Sequence, residues 1–412
     1  MHRGLHALVL ALACVAAHAE PDEAQLGKDR GYPVGTTPFN WNAPAHRVGS
    51  FSAMDRVPGL RHHPVARGRE VRALPPAASA PAVHWRWRGA TLTLDDYLER
   101  HRATGLLILK DGAVVAERYR YDRKPDARFM SFSMGKSITS MLVGIAVERG
   151  HIASLDDPAG RYVPALQGSA YGETPIRHLL RMSSGVAFSE RYDGQDDVAR
   201  LSRAAITGRP PVLEVLRSFS ERRTAPGERF AYASAETDVL GRVLSGATGR
   251  PLAQLASEWL WQHLGAEHDA FWILAHDGQE RASGYFNATL RDWGRLGLLL
   301  AADGQVGERQ VVPREYLLDA TEAARQPAAF QPGTASPFLG YGYQFWILPQ
   351  RERTFALQGV FGQAVYVQPA TGIVMVQTAV WDRPSGSQDR QAAQERQALW
   401  LGVLRSLGGR AD

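Results

Sequence analysis

Apolar residues at Ile138, Met141, Leu142, Ile145 and Val147 recur at helical spacing, and Gly150 stands where a C-terminal cap glycine belongs. Period and stop together predict a helix starting near Ser133. What flanks that helix constrains the fold. Upstream, Leu106 to Leu109, an Asp111-Gly112 turn and Ala113 to Tyr119 read as a β-hairpin. Far downstream, Thr354 to Gln358, Gln363 to Val367 and Ile373 to Val380 read as strands, with Ala370-Thr371-Gly372 turning between the last two. An amphipathic helix from about Gln388 to Leu407 follows. The stretch from Ser133 to about Asp319 reads mostly as helix and loop. The pattern predicts an α/β (α+β) protein: an antiparallel sheet assembled from both ends of the chain, flanked by helices, with a mainly helical part inserted.

The start of the central helix carries chemistry. Ser133 and Lys136 are three residues apart, which puts both on one helix face. A serine hydroxyl attacks carbonyls at neutral pH only with a proton acceptor in reach, and a lysine can serve if burial keeps it neutral. Lys28, Lys110, Lys124 and Lys136 are the only lysines, every other basic position being arginine, which cannot act as a base. The helix N-terminus favours developing negative charge at Ser133. Tyr232-Ala233-Ser234 precedes Thr237, Val239, Leu240 and Val243, the start of another helical pattern. A phenol at that junction could relay a proton between Ser133, Lys136 and a leaving group, provided a nearby ammonium lowers its pKa. The other reading of Tyr232 is a ring packed at the surface of the core.

Ser-x-x-Lys, then Tyr-x-Ser, then Gly359-Val360-Phe361-Gly362-Gln363 resembles the serine β-lactamase-related superfamily, which includes class C β-lactamases, penicillin-binding DD-peptidases and esterases. Within it the chain is most similar to the 6-aminohexanoate-dimer hydrolase-like branch, through Leu155-Asp156-Asp157-Pro158, His178 to Gly185 and Tyr341 to Trp346. The similarity runs from roughly residue 50 to 405. It implies a β-lactamase/DD-peptidase-like fold, with Ser133 as nucleophile, Lys136 as base and Tyr232 as proton relay. The backbone amides of Ser133 and Val360 would form the oxyanion hole, Gly359 permitting close backbone approach. Ser234 takes a place where relatives often have asparagine. Tyr192 resembles a substrate-gating tyrosine of the aminohexanoate branch, or else is a surface loop residue. Trp346 either lines the acyl pocket or belongs to the core of the sheet.

One departure bears on substrate. Members acting on β-lactams or peptidoglycan stems usually carry Lys-Thr-Gly or His-Thr-Gly on the third-motif strand, where this chain has Leu357-Gln358-Gly359. Leucine and glutamine offer no charge-assisted bond to a carboxylate, which favours ester or linear amide substrates. The expected function is a secreted or periplasmic hydrolase of such bonds. The alternatives are a β-lactamase or DD-peptidase acting on cell-wall peptides, and a non-catalytic binder of cell-wall fragments or a partner.

The expected layout is a signal peptide at 1–19, an extended proline-rich arm at 20–82, and a hydrolase domain at 83–405. Its sheet part covers 83–132 and 335–405, and its helical part 133–334. Arg3, the apolar run from Ala7 to Ala17 and Ala17-His18-Ala19 before Glu20 carry the signal reading, with a lipoprotein through Cys14 second. The apolar run is too short to span a membrane. Cys14 is the only cysteine, so the mature chain holds neither thiol nor disulfide. Loss of Arg3 takes the formal net charge from +5 to +4, and no basic block with interleaved aromatics suggests nucleic acid. Met130 occupies the first glycine position of a phosphate loop ending at Gly135-Lys136-Ser137, no Gly-x-Ser-x-Gly elbow occurs, and His62-His63 lacks a zinc ligand set. The chemistry calls for no cofactor and no metal. The sequence leaves the oligomeric state open.

Overall fold

The computed structural model describes residues 23–412, so the expected signal segment lies outside the described residues. The central sheet has seven strands: β1 (Ala103–Lys110), β2 (Ala113–Tyr119), β3 (Gly340–Tyr341), β4 (Trp346–Ile347), β5 (Phe355–Gly359), β6 (Gln363–Gln368) and β7 (Ile373–Ala379). Their spatial order is β3-β4-β5-β6-β7-β1-β2, and every neighbouring pair is antiparallel. The hairpin β1–β2 turns where the sequence reading puts it, with Asp111 and Gly112 both at positive φ. Strand β7 from the C-terminal part pairs with β1 from the N-terminal part, Val374 facing Leu109 and Val376 facing Leu107, so both ends of the chain build one sheet.

Four helices matter most: α1 (Gly135–Glu148), α2 (Ser234–Thr248), α3 (Leu290–Ala301) and α4 (Arg390–Ser406). Period-two alternation sorts the strand side chains between two cores. Leu107, Leu109, Val365, Val374 and Val376 join Leu290, Trp293 and Leu296 of α3, while Leu106, Ile108, Tyr366 and Met375 join Leu399, Trp400 and Val403 of α4. Helix α3 therefore packs on the sheet although it lies inside the segment read as helical insertion. Helix α1 has its predicted face, with Ile138, Met141, Leu142 and Ile145 buried, and Gly150 ends it at φ 74°.

The arm is more structured than its prolines suggest. It holds a short helix, Pro44–Ser50, and a strand, His62–Val65, which pairs with Ala270–Ile273. Those two strands extend a small antiparallel sheet through Phe286–Ala288 to Phe129–Met130, just before Ser133. Trp41 and Phe51 of the arm meet Phe132 and Phe361 in an aromatic cluster. Among the described residues, no helix is long and apolar enough to cross a membrane.

Candidate active site

Ser133 sits in a single 3-10 turn, Phe132–Met134, that leads into α1. The turn is held from both sides. Ser131 donates its amide to Phe286 O (2.7 Å), and its Oγ accepts from the Phe286 amide (3.1 Å). Phe132 then takes φ 43°, a conformation costly for a residue with a Cβ. Ring contacts from Phe51 at 4.7 Å and Phe361 at 5.4 Å between centroids hold it there. The arm and the sheet edge thus jointly fix the residue that precedes the candidate nucleophile.

Lys136 is 1% exposed, one helical turn behind Ser133. Its Nζ lies 3.1 Å from Ser133 Oγ, 2.9 Å from Ser234 Oγ and 2.6 Å from the Ser283 carbonyl. Burial lowers its pKa from 10.5 to about 8, against the opposing pull of the Glu190 and Asp238 carboxylates. Glu190 accepts bonds from the Ser234 amide and hydroxyl, each 2.7 Å, and from the Tyr192 hydroxyl at 2.7 Å. Asp238, one turn beyond Ser234 on α2, accepts from the Ser283 amide at 3.0 Å and so holds the carbonyl that faces Lys136. Gln344 ties the helices together: its carbonyl accepts from Ser137, its side chain accepts from Thr237, and its Nε2 reaches the carbonyls of Leu179 and Leu180.

Tyr232 is within hydrogen-bond reach of Ser133, and the Lys136 ammonium position lies 5.2 Å from its ring centre. The expected lowering of its pKa is not what the surroundings produce. Burial and the Glu190 carboxylate raise it well above 10, so the group is a neutral phenol. Trp346, half-buried on β4, stacks on Tyr232 at 5.7 Å and 16°, and Tyr341 meets both rings edge-on. Trp346 therefore backs the tyrosine.

Ser133, Val360, Ser234 and Tyr192 line one open cleft, together with Glu190, Asp238, Arg281 and Tyr285. Tyr192 stands at φ 58°, its amide and that of Arg191 both donating to Asp196 at 2.6 Å. Gly359 explains the close approach of the sheet edge, since a Cβ there would stand 2.4 Å from Ser131 O. Leu357 points into the core and is fully buried, while Gln358 accepts from Arg396 Nη2 at 2.5 Å. The sequence reading missed Glu190, Asp238, Ser283 and Arg281. Glu190, two residues before Tyr192, and Asp238, between Thr237 and Val239, stood beside residues already singled out.

A sheet built from both ends, with a Ser-x-x-Lys helix at its junction with a helical region, defines the architecture of serine β-lactamases and penicillin-binding proteins. The model of the Beta-lactamase family matches residues 92–399, and the chain belongs to that family. It is 28% identical over 298 residues to the 6-aminohexanoate-dimer hydrolase of Paenarthrobacter ureafaciens, covering 71% of this chain and 76% of that one. It is also 28% identical over 325 residues to esterase EstB of Burkholderia gladioli, covering 66% and 80%. Among solved structures, a Bacillus anthracis protein assigned as a 6-aminohexanoate-dimer hydrolase superposes with a TM-score of 0.80 at 22% identity, over 90% of this chain and 97% of that one.

Proposed function

We propose that this protein is a serine hydrolase that cleaves an ester or linear amide through an acyl-enzyme on Ser133. Hydrogen-bond bookkeeping at Lys136 carries the reading. A neutral amine has two N–H groups and one lone pair. The Ser283 carbonyl can only accept, so it takes one N–H. Ser234 Oγ spends its proton on Glu190, so it accepts the second. The lone pair is left for Ser133 Oγ, the one neighbour with a proton to give. Glu190 thus orients the base through Ser234.

In the forward step the Ser133 Oγ–carbon bond forms as Lys136 takes the hydroxyl proton. The carbonyl oxygen becomes an oxyanion facing the amides of Ser133 and Val360, an arrangement worth roughly 3 to 4 kcal/mol per donor in other hydrolases. Tyr232, a neutral phenol, gives its proton to the departing alcohol or amine and is reprotonated from Lys136. Water then attacks the acyl carbon by the same route in reverse, and Ser133 leaves with its proton restored.

The similarity to a 6-aminohexanoate-dimer hydrolase and to an esterase supports this substrate class. Leu357-Gln358 in place of a Lys-Thr pair supports it against β-lactam or peptidoglycan turnover. Residues 1–19 support export to the periplasm or medium. The test is a nitrophenyl ester, with nitrophenolate release and intact mass followed together on the protein and on Ser133→Ala. A burst and an acyl adduct, both lost in the variant, are expected. Equal release from both proteins would refute Ser133 as the nucleophile, and absent release together with failure of a serine-reactive phosphonate to label Ser133 would make the protein a binder without turnover.

A further inference from the structure

Arg281 has no role in the scheme above, yet it lines the same cleft as Ser133, together with Tyr285 and Ser202. Its backbone is pinned, the amide donating to Ile273 O at 3.0 Å and the carbonyl accepting from Gly284 N at 3.1 Å and Trp272 Nε1 at 3.1 Å. Its guanidinium carbon lies 3.6 Å from the Tyr285 ring centre, and Nη2 donates to Ser202 Oγ at 2.8 Å. A planar cation held by an aromatic face and one hydroxyl is oriented before any ligand arrives, with its other donors still to be used. Among the described residues no carboxylate forms an ion pair with it, in contrast to Arg100, Arg177, Arg291 and Arg295. The two carboxylates of the cleft are engaged elsewhere, Glu190 by Ser234 and Tyr192, Asp238 by the Ser283 amide.

The side of the reaction follows from what the cleft includes. Tyr232, the proposed donor to the leaving group, is enclosed by Trp346 and Tyr341, whereas Arg281 sits against Tyr285 and Ser202 in the cleft lined by Ser133 and Val360. In the proposed scheme the leaving group departs toward Tyr232, which leaves the volume around Arg281 for the acyl portion. We propose that Arg281 is an anion anchor for that portion, so that the preferred substrate is an ester or amide whose acyl chain carries a free carboxylate. The cation missing from the third-motif strand would then be replaced functionally from the facing wall, at a different point of the substrate. This inference rests on the acyl-enzyme reading for its geometry.

The test compares the nitrophenyl monoester of glutarate with nitrophenyl pentanoate, as a ratio of kcat/KM on the same sample, which cancels differences in folded fraction. The protein is expected to favour the glutarate ester. Arg281→Ala should lower the ratio by about tenfold or more, the usual scale for a lost charge-assisted bond. Arg281→Lys should recover part of it, and Arg281→Glu should shift preference to the 5-aminopentanoate ester. A ratio that is the same in all four proteins, or a native preference for pentanoate, overturns the anchor. Failure of the serine chemistry is separable: hydrolysis that survives Ser133→Ala refutes the nucleophile. Calorimetric binding of glutarate to the protein and to Arg281→Ala then decides the anchor alone, weaker binding in the variant upholding it and equal binding rejecting it.

Discussion

The two walls that meet at Ser133 are made differently. On the helical side most contributions are side chains with bonded partners, Lys136 to Ser234, Ser234 to Glu190 and Glu190 to Tyr192, and the Ser283 main chain joins them through its carbonyl to Lys136 and its amide to Asp238. On the sheet side the contribution is backbone. Leu357 is buried in the core, Gln358 is bonded to Arg396, Gly359 provides room, and Val360 brings its main chain to the cleft. In the proposed mechanism, then, proton handling is concentrated in one wall and position in the other. Side-chain changes in the first should alter rate and pH dependence, and those in the second mainly stability.

The largest break of that contrast is Lys136→Arg. Arginine is permanently charged and offers no lone pair, so acylation should fall on the order of 10³-fold in a stopped-flow burst assay. Near-normal turnover would end the assignment of the base. On the sheet wall, Leu357→Lys should act on stability instead. A lysine there must bury its ammonium in the core beside α3, at a cost of about 3 kcal/mol or more in denaturant unfolding. A stable variant that also gains β-lactam affinity would show the side chain turning into the cleft.

Glu190→Gln sharpens the comparison through pH. The Glu190 carboxylate holds the Lys136 pKa up, so its removal should move the acid limb of kcat/KM below its native position near pH 8. An unmoved limb would assign that limb to another group. The smallest effect is expected at Glu236, fully inside the helical wall, where it accepts from Ser184 Oγ at 2.6 Å and Ser184 N at 3.2 Å. Burial raises its pKa from 4.5 to about 8. The folded state therefore binds a proton more tightly than the unfolded one. Its stabilising contribution is complete below pH 4.5 and is lost as pH rises from there through 8. Thermal scans between pH 5 and 8 should show native Tm declining by roughly a few degrees relative to Glu236→Gln. Lys136 adds the opposite slope only from about pH 8 upward, since its folded pKa is depressed.

What could be read from the sequence was local and periodic. The Asp111-Gly112 hairpin, the strands around Gln363 and Ile373, and helix α1 with its Gly150 stop come from patterns that neighbouring residues specify among themselves. Ser133 and Lys136 were legible together because helix pitch puts positions three apart side by side. Glu190 and Ser283 were not, since each reaches the site from a different loop and no spacing announces such a meeting, whereas Asp238, four residues after Ser234 on one helix, was legible by the same pitch and was overlooked. The structure of the arm was hidden for a related reason: His62–Val65 is strand only because Ala270–Ile273 pairs with it. Tyr232 lies within hydrogen-bond reach of Ser133, but its ionisation depends on enclosure by Trp346 and Tyr341 and on Glu190, all distant in sequence.

That long reach has a temporal side. Arg47 donates to the Trp381 carbonyl at 2.8 Å, and Phe51 packs on Phe361, so elements of the arm wait for strands made far later. Such sequence-distant closure slows folding, and it cannot begin until the C-terminal strands have been synthesised. Phe132, held between those two ends, would adopt its left-handed backbone only on closure. The serine beside it would stay unassembled through synthesis and gain its geometry as a final event, a form of timing written into chain order.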